Sequence, residues 1–236
     1  MGAVFKREFK SYFSSPIGYV FLAFMMFFSA LFFCRTLYAQ ISYLEYVFLM
    51  LTQNFVIALI PLLTMRLFSE EKKLKTDQLL MTAPVSTGGV VLGKYFASLL
   101  MFFISITPTI LYVLILGVYT TPDWNLFVGN FLGLLLLGGA LIAIGTFISA
   151  LTESQMVAFI ASFACVMFLM LYDGLVQSLP EGLSFLSGFL TGLSFMGRYQ
   201  DFVSGILNIA HLLFFVSVIA GFNFLTARVL EKKRWS

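Results

Sequence analysis

The sequence predicts an all-α membrane protein with six transmembrane helices, and three observations carry that prediction. Of 236 residues, 60% are hydrophobic, only 11% are charged and 29 are Phe; mean hydropathy is +0.98. The apolar residues gather into long runs, and a run of about 20 crosses a hydrocarbon core of about 30 Å. The basic residues concentrate in the segments that six crossings place on one side. Such runs must be helical, because backbone groups in lipid need partners within their own segment. They are also too long and too uniformly apolar for barrel strands, which alternate over about ten residues. The composition excludes a cytosolic globular enzyme, a disordered linker and a nucleic-acid binder. Two distant cysteines and a single histidine leave neither a disulfide framework nor a zinc site.

Residues 2–14 precede the first run. At about 100° per residue, Val4, Phe5, Phe9, Tyr12 and Phe13 share one half of a helix, and Lys6, Arg7 and Lys10 the other, with Glu8 out of place on the apolar side. This suits a helix lying in the headgroup region, or a positive-inside anchor. Pro16 then breaks it. The spans are expected near Ile17–Cys34, Tyr46–Leu67, Gly93–Tyr119, Leu126–Leu151, Met156–Gly174 and Ile206–Val229. The first is kept as a permanent span, because bulky Phe32 and Phe33 stand where a signal-peptide cleavage site needs small residues. Together the spans use most of the chain, so residues 1–236 read as one membrane domain.

With the N-terminus inside, Lys6, Arg7, Lys10, Arg66, Lys72, Lys73, Lys75, Lys94, Arg228, Lys232, Lys233 and Arg234 all lie on the inner side, and of the 14 basic residues only Arg35 and Arg198 lie outside. This bias places both termini in the cytoplasm. The main inner segment is Phe68–Val91. Ser69 is its expected N-cap, with Glu70 and Glu71 in the first turn, and Glu71–Lys75 and Lys73–Asp77 are opposite charges four apart. A short charged helix over 70–82, ended by Pro84 and Gly88-Gly89, follows, either as a solvated linker or as a docking element. Residues 175–204 are too long for a tight connection and too apolar for a solvated loop. Two short helices dipping into the outer leaflet explain them, and an interfacial pair covering the bundle is the alternative.

Few groups suggest chemistry. Gly88-x-x-x-x-Gly93-Lys94 approaches a phosphate loop, but Tyr95 stands where Ser or Thr would hold magnesium. Lys94 therefore reads as an inner-face anchor, and any ATPase must be another chain. Ser184, Ser194 and His211 superficially suit an intramembrane serine protease, without a supporting acid to name. Gln53, Asn54, Thr107, Thr109 and Asn223 are mid-membrane polar residues that knit helices or line a path, and no acid-rich relay accompanies them. Gly129, Gly133, Gly138, Gly139 and Gly145 give span four a small-residue face, for contact within the subunit or across a dimer. Pro61 and Pro108 are potential kinks.

The opening FKREFKSYFSSPIGYVFLA, the stretch RLFSEEKKLKTDQLLMTAPVSTGGVVLGKYFASL and the ending RYQDFVSGILNIAHLLFFVSVIAGFNFLTARVLEKKRW resemble type-2 ABC transporter permeases, in particular the GldF-like gliding-motility group. The resemblance implies a permease subunit of an exporter in a bacterial cytoplasmic membrane, without catalytic residues of its own. It implies a connecting helix seated by Phe5, Phe9, Tyr12 and Phe13, a coupling helix carrying Glu70, Glu71, Lys72, Lys73, Lys75 and Asp77, and extracellular re-entrant helices in 175–204. It further implies two ABC ATPase subunits that bind ATP and Mg, and a second permease chain, identical or related. The aromatic-rich spans suit an apolar or amphipathic cargo, or plain lipid contact. An ATP-independent transporter or channel is the principal rival reading.

Overall fold

The computed structural model describes residues 1–39, 44–76, 86–177 and 192–235, all in helices, turns and short connections. Among them six helical stretches are long and apolar enough to cross a membrane: Pro16–Tyr38, Glu45–Lys73, Thr87–Tyr119, Trp124–Leu151, Gln155–Tyr172 and Ile209–Lys232. These are spans one to six. An amphipathic helix, α1 (Gly2–Ser14), precedes them, and a short helix, α2 (Phe195–Val203), lies between spans five and six.

Span four is the hub. Its glycines set how closely neighbours approach: a Cβ at Gly138 would fall 2.2 Å from the Phe102 ring, and one at Gly145 2.3 Å from Thr64 Oγ1. Cβ atoms at Gly129 and Gly133 would meet Phe202 at 2.7 and 2.6 Å. The small-residue face is thus spent inside the subunit, on spans two and three and on α2.

Span two is broken rather than continuous. Thr52–Val56 is a π-helical turn, which re-registers the hydrogen-bond ladder ahead of Pro61. Around Met65 a side chain of span four enters that ladder. Ser149 Oγ donates to Met65 O at 3.0 Å and accepts from the Phe68 and Ser69 amides at 3.1 and 3.3 Å. The final segment, α3 (Arg66–Lys73), is therefore capped by a serine from another span. Pro108 similarly divides span three into Thr87–Ile106 and Pro108–Tyr119.

The expected N-cap at Ser69 is not there. Ser69 lies within α3 and its hydroxyl donates back to Met65 O. The helix that holds Glu70 ends at Lys73, and residues 77–82 of the expected helix lie outside the described residues. It closes with Thr76 N donating to Glu71 O at 2.9 Å and Lys75 N to Lys72 O at 3.0 Å, and Lys75 is left-handed at φ 55. That pairing is a Schellman stop. It carries Lys75 away from Glu71, so the expected Glu71–Lys75 pair gives way to other partners. Asp77 lies outside the described residues.

Part of the segment 175–204 is described. Helix α2 buries Phe195, Met196, Tyr199, Phe202 and Val203. Thr52 Oγ1 donates to Tyr199 Oη at 3.0 Å, seven residues and about 10 Å along span two from its start. This half enters the bundle rather than lying over it. Residues 178–191, with Ser184, fall outside the described part.

Candidate functional site

Side-chain contacts gather α1, α3, the start of span three and the ends of spans four and six at one end of the bundle. Arg7 meets Glu71 there, Lys72 donates to Ala150 O, and Thr87 Oγ1 donates to Glu231 at 3.0 Å. This end holds nearly all the basic residues.

The centre of this end is a charge quartet. Lys94, about two turns into span three, is only 1% exposed, and its Nζ lies 3.2 Å from Glu8 Oε1 and 3.0 Å from Glu71 Oε2. The same Nζ donates to Leu67 O at 2.5 Å and stands 5.0 Å from the centre of the Phe68 ring. Arg7 Nη2 closes the square, 2.6 Å from Glu8 and 2.5 Å from Glu71. Two cations and two anions balance, so no charge at this buried contact is left without an opposite partner. Burial pushes the Glu8 carboxyl up, but Lys94 and Arg7 outweigh it and hold the group below its ordinary value.

Each member is placed by its own helix. On α1, Val4, Glu8 and Tyr12 form one i, i+4 stripe, and this stripe faces the bundle. Val4 packs on Gly93, where a Cβ would sit 3.1 Å from the Val4 side chain. Tyr12 is fully buried, donating to Leu63 O at 3.1 Å and sharing a hydrogen bond with Ser98 at 2.9 Å. Arg66 reaches Ser15 at 2.6 Å and Ser11 at 3.3 Å, its guanidinium 4.6 Å from the centre of the Tyr12 ring.

Of the expected seating residues, Tyr12 alone is buried deeply. Phe5 and Phe9 are half-buried and Phe13 is exposed; Phe5 stacks on Phe9 with centroids 6.0 Å apart, and Phe9 meets Phe13 edge-on at 5.1 Å. They form the flank of α1, while Val4, Glu8 and Tyr12 form its foot. Glu8, out of place in an amphipathic reading, is the polar centre of the contact face.

The candidate coupling residues divide. Glu71 and Lys72 are turned into the bundle, Lys72 against span four. Glu70 is half-buried, while Lys73, Leu74 and Lys75 are exposed. A cleft of about 500 Å³ opens beside them, lined by Arg7, Arg66, Glu70, Leu74 and Thr76 among others. Lys94 is not a snorkelling anchor but the buried partner of two carboxylates. Residues 88–94 are helical and Ser86 caps them, so no phosphate loop exists there.

The other candidates resolve as structural. Ser194 caps α2, accepting from Gly197 N at 2.8 Å. His211 Nδ1 lies 3.2 Å from Asp201 Oδ2, and no serine is bonded to it among the described residues. Asn54, Thr107, Thr109 and Asn223 all donate back to their own helix rather than across to neighbours.

The arrangement can transmit displacement. It joins three separate elements through groups that cannot part without exposing a buried charge. A family model described as "ABC-2 family transporter protein" matches residues 17–225. No curated protein matches the chain.

Proposed function

The chain belongs to the ABC-2 family of transporters, and on that premise we propose that it is the membrane subunit of an ATP-driven exporter of the GldF-like type. Residues 1–236 act as one permease domain. Two separate ABC ATPase chains bind ATP and Mg, dock at the basic end, and supply the energy. A second permease chain, identical or related, completes the pair. The membrane is a bacterial cytoplasmic membrane with both termini inside, and the basic bias of that end supports the orientation.

The observation that carries this reading is the charge quartet with its adjoining cleft. An ATPase seated against Glu70, Lys73, Leu74, Lys75 and the stretch leading to Asp77 would press on α3. Charge at such a contact sets specificity and on-rate more than raw affinity. Glu71 would pass the displacement to Arg7 of α1 and Lys94 of span three, and Lys72 to span four. Phe5, Phe9, Tyr12 and Phe13 would let α1 move with them as one body.

The test uses the permease purified with its bound partners from native membranes. A nucleotide-hydrolysing chain should co-purify, with hydrolysis stimulated by the permease. Glu70→Lys with Lys73→Glu should abolish the stimulation while the permease stays inserted and monodisperse. Undiminished stimulation ends the coupling assignment. Transport by the permease alone in reconstituted vesicles ends the exporter reading in favour of an ATP-independent carrier.

A further inference from the structure

Under the first turns of α1 a groove of about 640 Å³ runs between α1, span three and span four. Every side chain that lines it is apolar. Phe5 comes from α1, Phe96, Leu100 and Phe103 form one stripe of span three, and Leu135 of span four adds the third wall. Phe96 and Phe103 are exposed on a helix that crosses the membrane, so the groove opens to lipid. Phe103 lies nine residues past Lys94, about 14 Å along the helix. The groove therefore reaches from the level of the quartet through about half of a hydrocarbon core about 30 Å thick.

The rim at α1 carries charge. Gly2, Lys6 and Lys10 stand one turn apart on one face of α1. Gly2 lines the groove, and a Cβ there would meet nothing within 4 Å. A helical side chain leans over the turn before its own Cα, so Lys6 leans over the open part of the groove at Gly2. Lys6 and Lys10 are both exposed. Neither has an ion-pair partner among the described residues, whereas Arg7 and Lys94 are taken by Glu8 and Glu71.

We propose that this groove is a binding site for a single acidic phospholipid, of the phosphatidylglycerol class, with one acyl chain in the groove and its phosphate at Lys6 and Lys10. Lipid tails are as apolar as the lining, so the chain gains only close packing by entering. The choice of this lipid over its neutral neighbours comes from the headgroup, through charge-assisted contacts to the two unpaired ammonium groups. Protein contacts hold α1 along one stripe, Val4, Glu8 and Tyr12. The lipid would fill the gap on its other flank and brace α1 against span three. The site is independent of any ATPase.

The experiment melts the full chain in neutral detergent micelles with dioleoyl phosphatidylglycerol, with dioleoyl phosphatidylcholine, and with glycerol 3-phosphate, which carries the anion without chains. The acidic lipid at a hundredfold excess over its dissociation constant should raise the unfolding midpoint by about 5 °C, the neutral lipid by less than half as much, and the free phosphate not at all. Lys6→Gln with Lys10→Gln should bring the two lipids level, whereas Lys232→Gln, exposed near the basic end of span six, should keep the preference. Gly2→Trp places a side chain in open groove, so the chain should stay monodisperse yet lose the acidic-lipid shift. Equal shifts from the two lipids in the wild-type chain, a preference that survives in the double Lys variant, or a full shift in Gly2→Trp overturns the site and leaves ordinary boundary lipid only. A concentration-dependent dimer that Gly2→Trp abolishes overturns it in favour of a second copy of the chain in the groove.

Discussion

Replacing Lys94 by Met tests the quartet most directly, because Met matches the side chain out to Cε and removes the ammonium with its charge and donors. Lys94 lies 3.2 and 3.0 Å from two carboxylates, each attraction being about 5 kcal/mol at an effective dielectric of about 20. Desolvation of the ammonium offsets most of that, so the intact quartet is not a large net source of stability. The variant is a different matter. Glu8 and Glu71 oxygens lie 2.6 and 2.5 Å from the same Arg7 nitrogen. They are thus within about 5 Å of each other, and their repulsion is about 3 kcal/mol on the same scale. Arg7 is half exposed and cannot neutralise both. The expected loss is about 3–5 kcal/mol, or roughly 10 °C in the unfolding midpoint of a chain this size. The assay is the monodisperse fraction after heating in detergent. Adding Glu71→Gln to Lys94→Met restores one cation to one anion and should recover more than half of the loss. A single variant within about 2 °C of wild type, or a double variant worse than the single, would refute the account.

Four further outcomes follow from the same geometry. Because the folded Glu8 carboxyl is held below its ordinary value, its stabilisation is complete above the ordinary carboxylate range and disappears as pH falls through the lowered folded value; Glu8→Gln should flatten that acid limb in a melting-against-pH series. Lys75 sits at φ 55, so Lys75→Gly should raise stability by about 1 kcal/mol in the same melts; no gain would deny the left-handed stop. A Cβ at Gly18 would stand 2.1 Å from Tyr12 O, a backbone atom, so Gly18→Ala should cost about 3 kcal/mol and show as lost monodispersity. Ser194→Ala should cost about 1 kcal/mol as a lost cap and leave transport intact, whereas abolished activity with an unchanged fold would revive a catalytic serine.

The spans were legible because hydropathy over about 20 residues outweighs every local signal. Each expected span overlaps an observed helix, and the differences are confined to the ends. What escaped were contacts made between residues distant in sequence. Ser69 has the residue type, and is followed by the acids, of an N-cap, yet Ser149 from another span does the capping, so Ser69 is left bonding to its own helix. The stop at Lys75 escaped because a left-handed Lys carries no glycine signal. Lys94 read as an anchor because nothing near it in sequence announces partners at Glu8 and Glu71. One signal was available. Val4, Glu8 and Tyr12 are spaced i, i+4, so an acid between two apolar contact residues already implied a buried cation opposite it. The site was legible as a charged segment, but not as a division between residues turned inward and residues left exposed.

That division bears on how such a device could work. A solvated linker helix would absorb a push by bending, and no energy would reach the spans. Here α3 continues span two and is pinned on two sides, by Ser149 and the Lys72–Ala150 bond to span four, and by Glu71 to Lys94 of span three. The pins are short and polar in a largely dry setting, where separation exposes an unpaired charge or carbonyl. A load on the exposed residues Lys73, Leu74 and Lys75 therefore meets a stiff body whose neighbours must move with it. Interruptions of the regular α-helical ladder lie further along the spans, at the π-turn Thr52–Val56 and at the Thr107–Pro108 break, where bending would cost least. Stiffness at the basic end with bending further along the same helices is the order that would convert a push at one end into a tilt at the other.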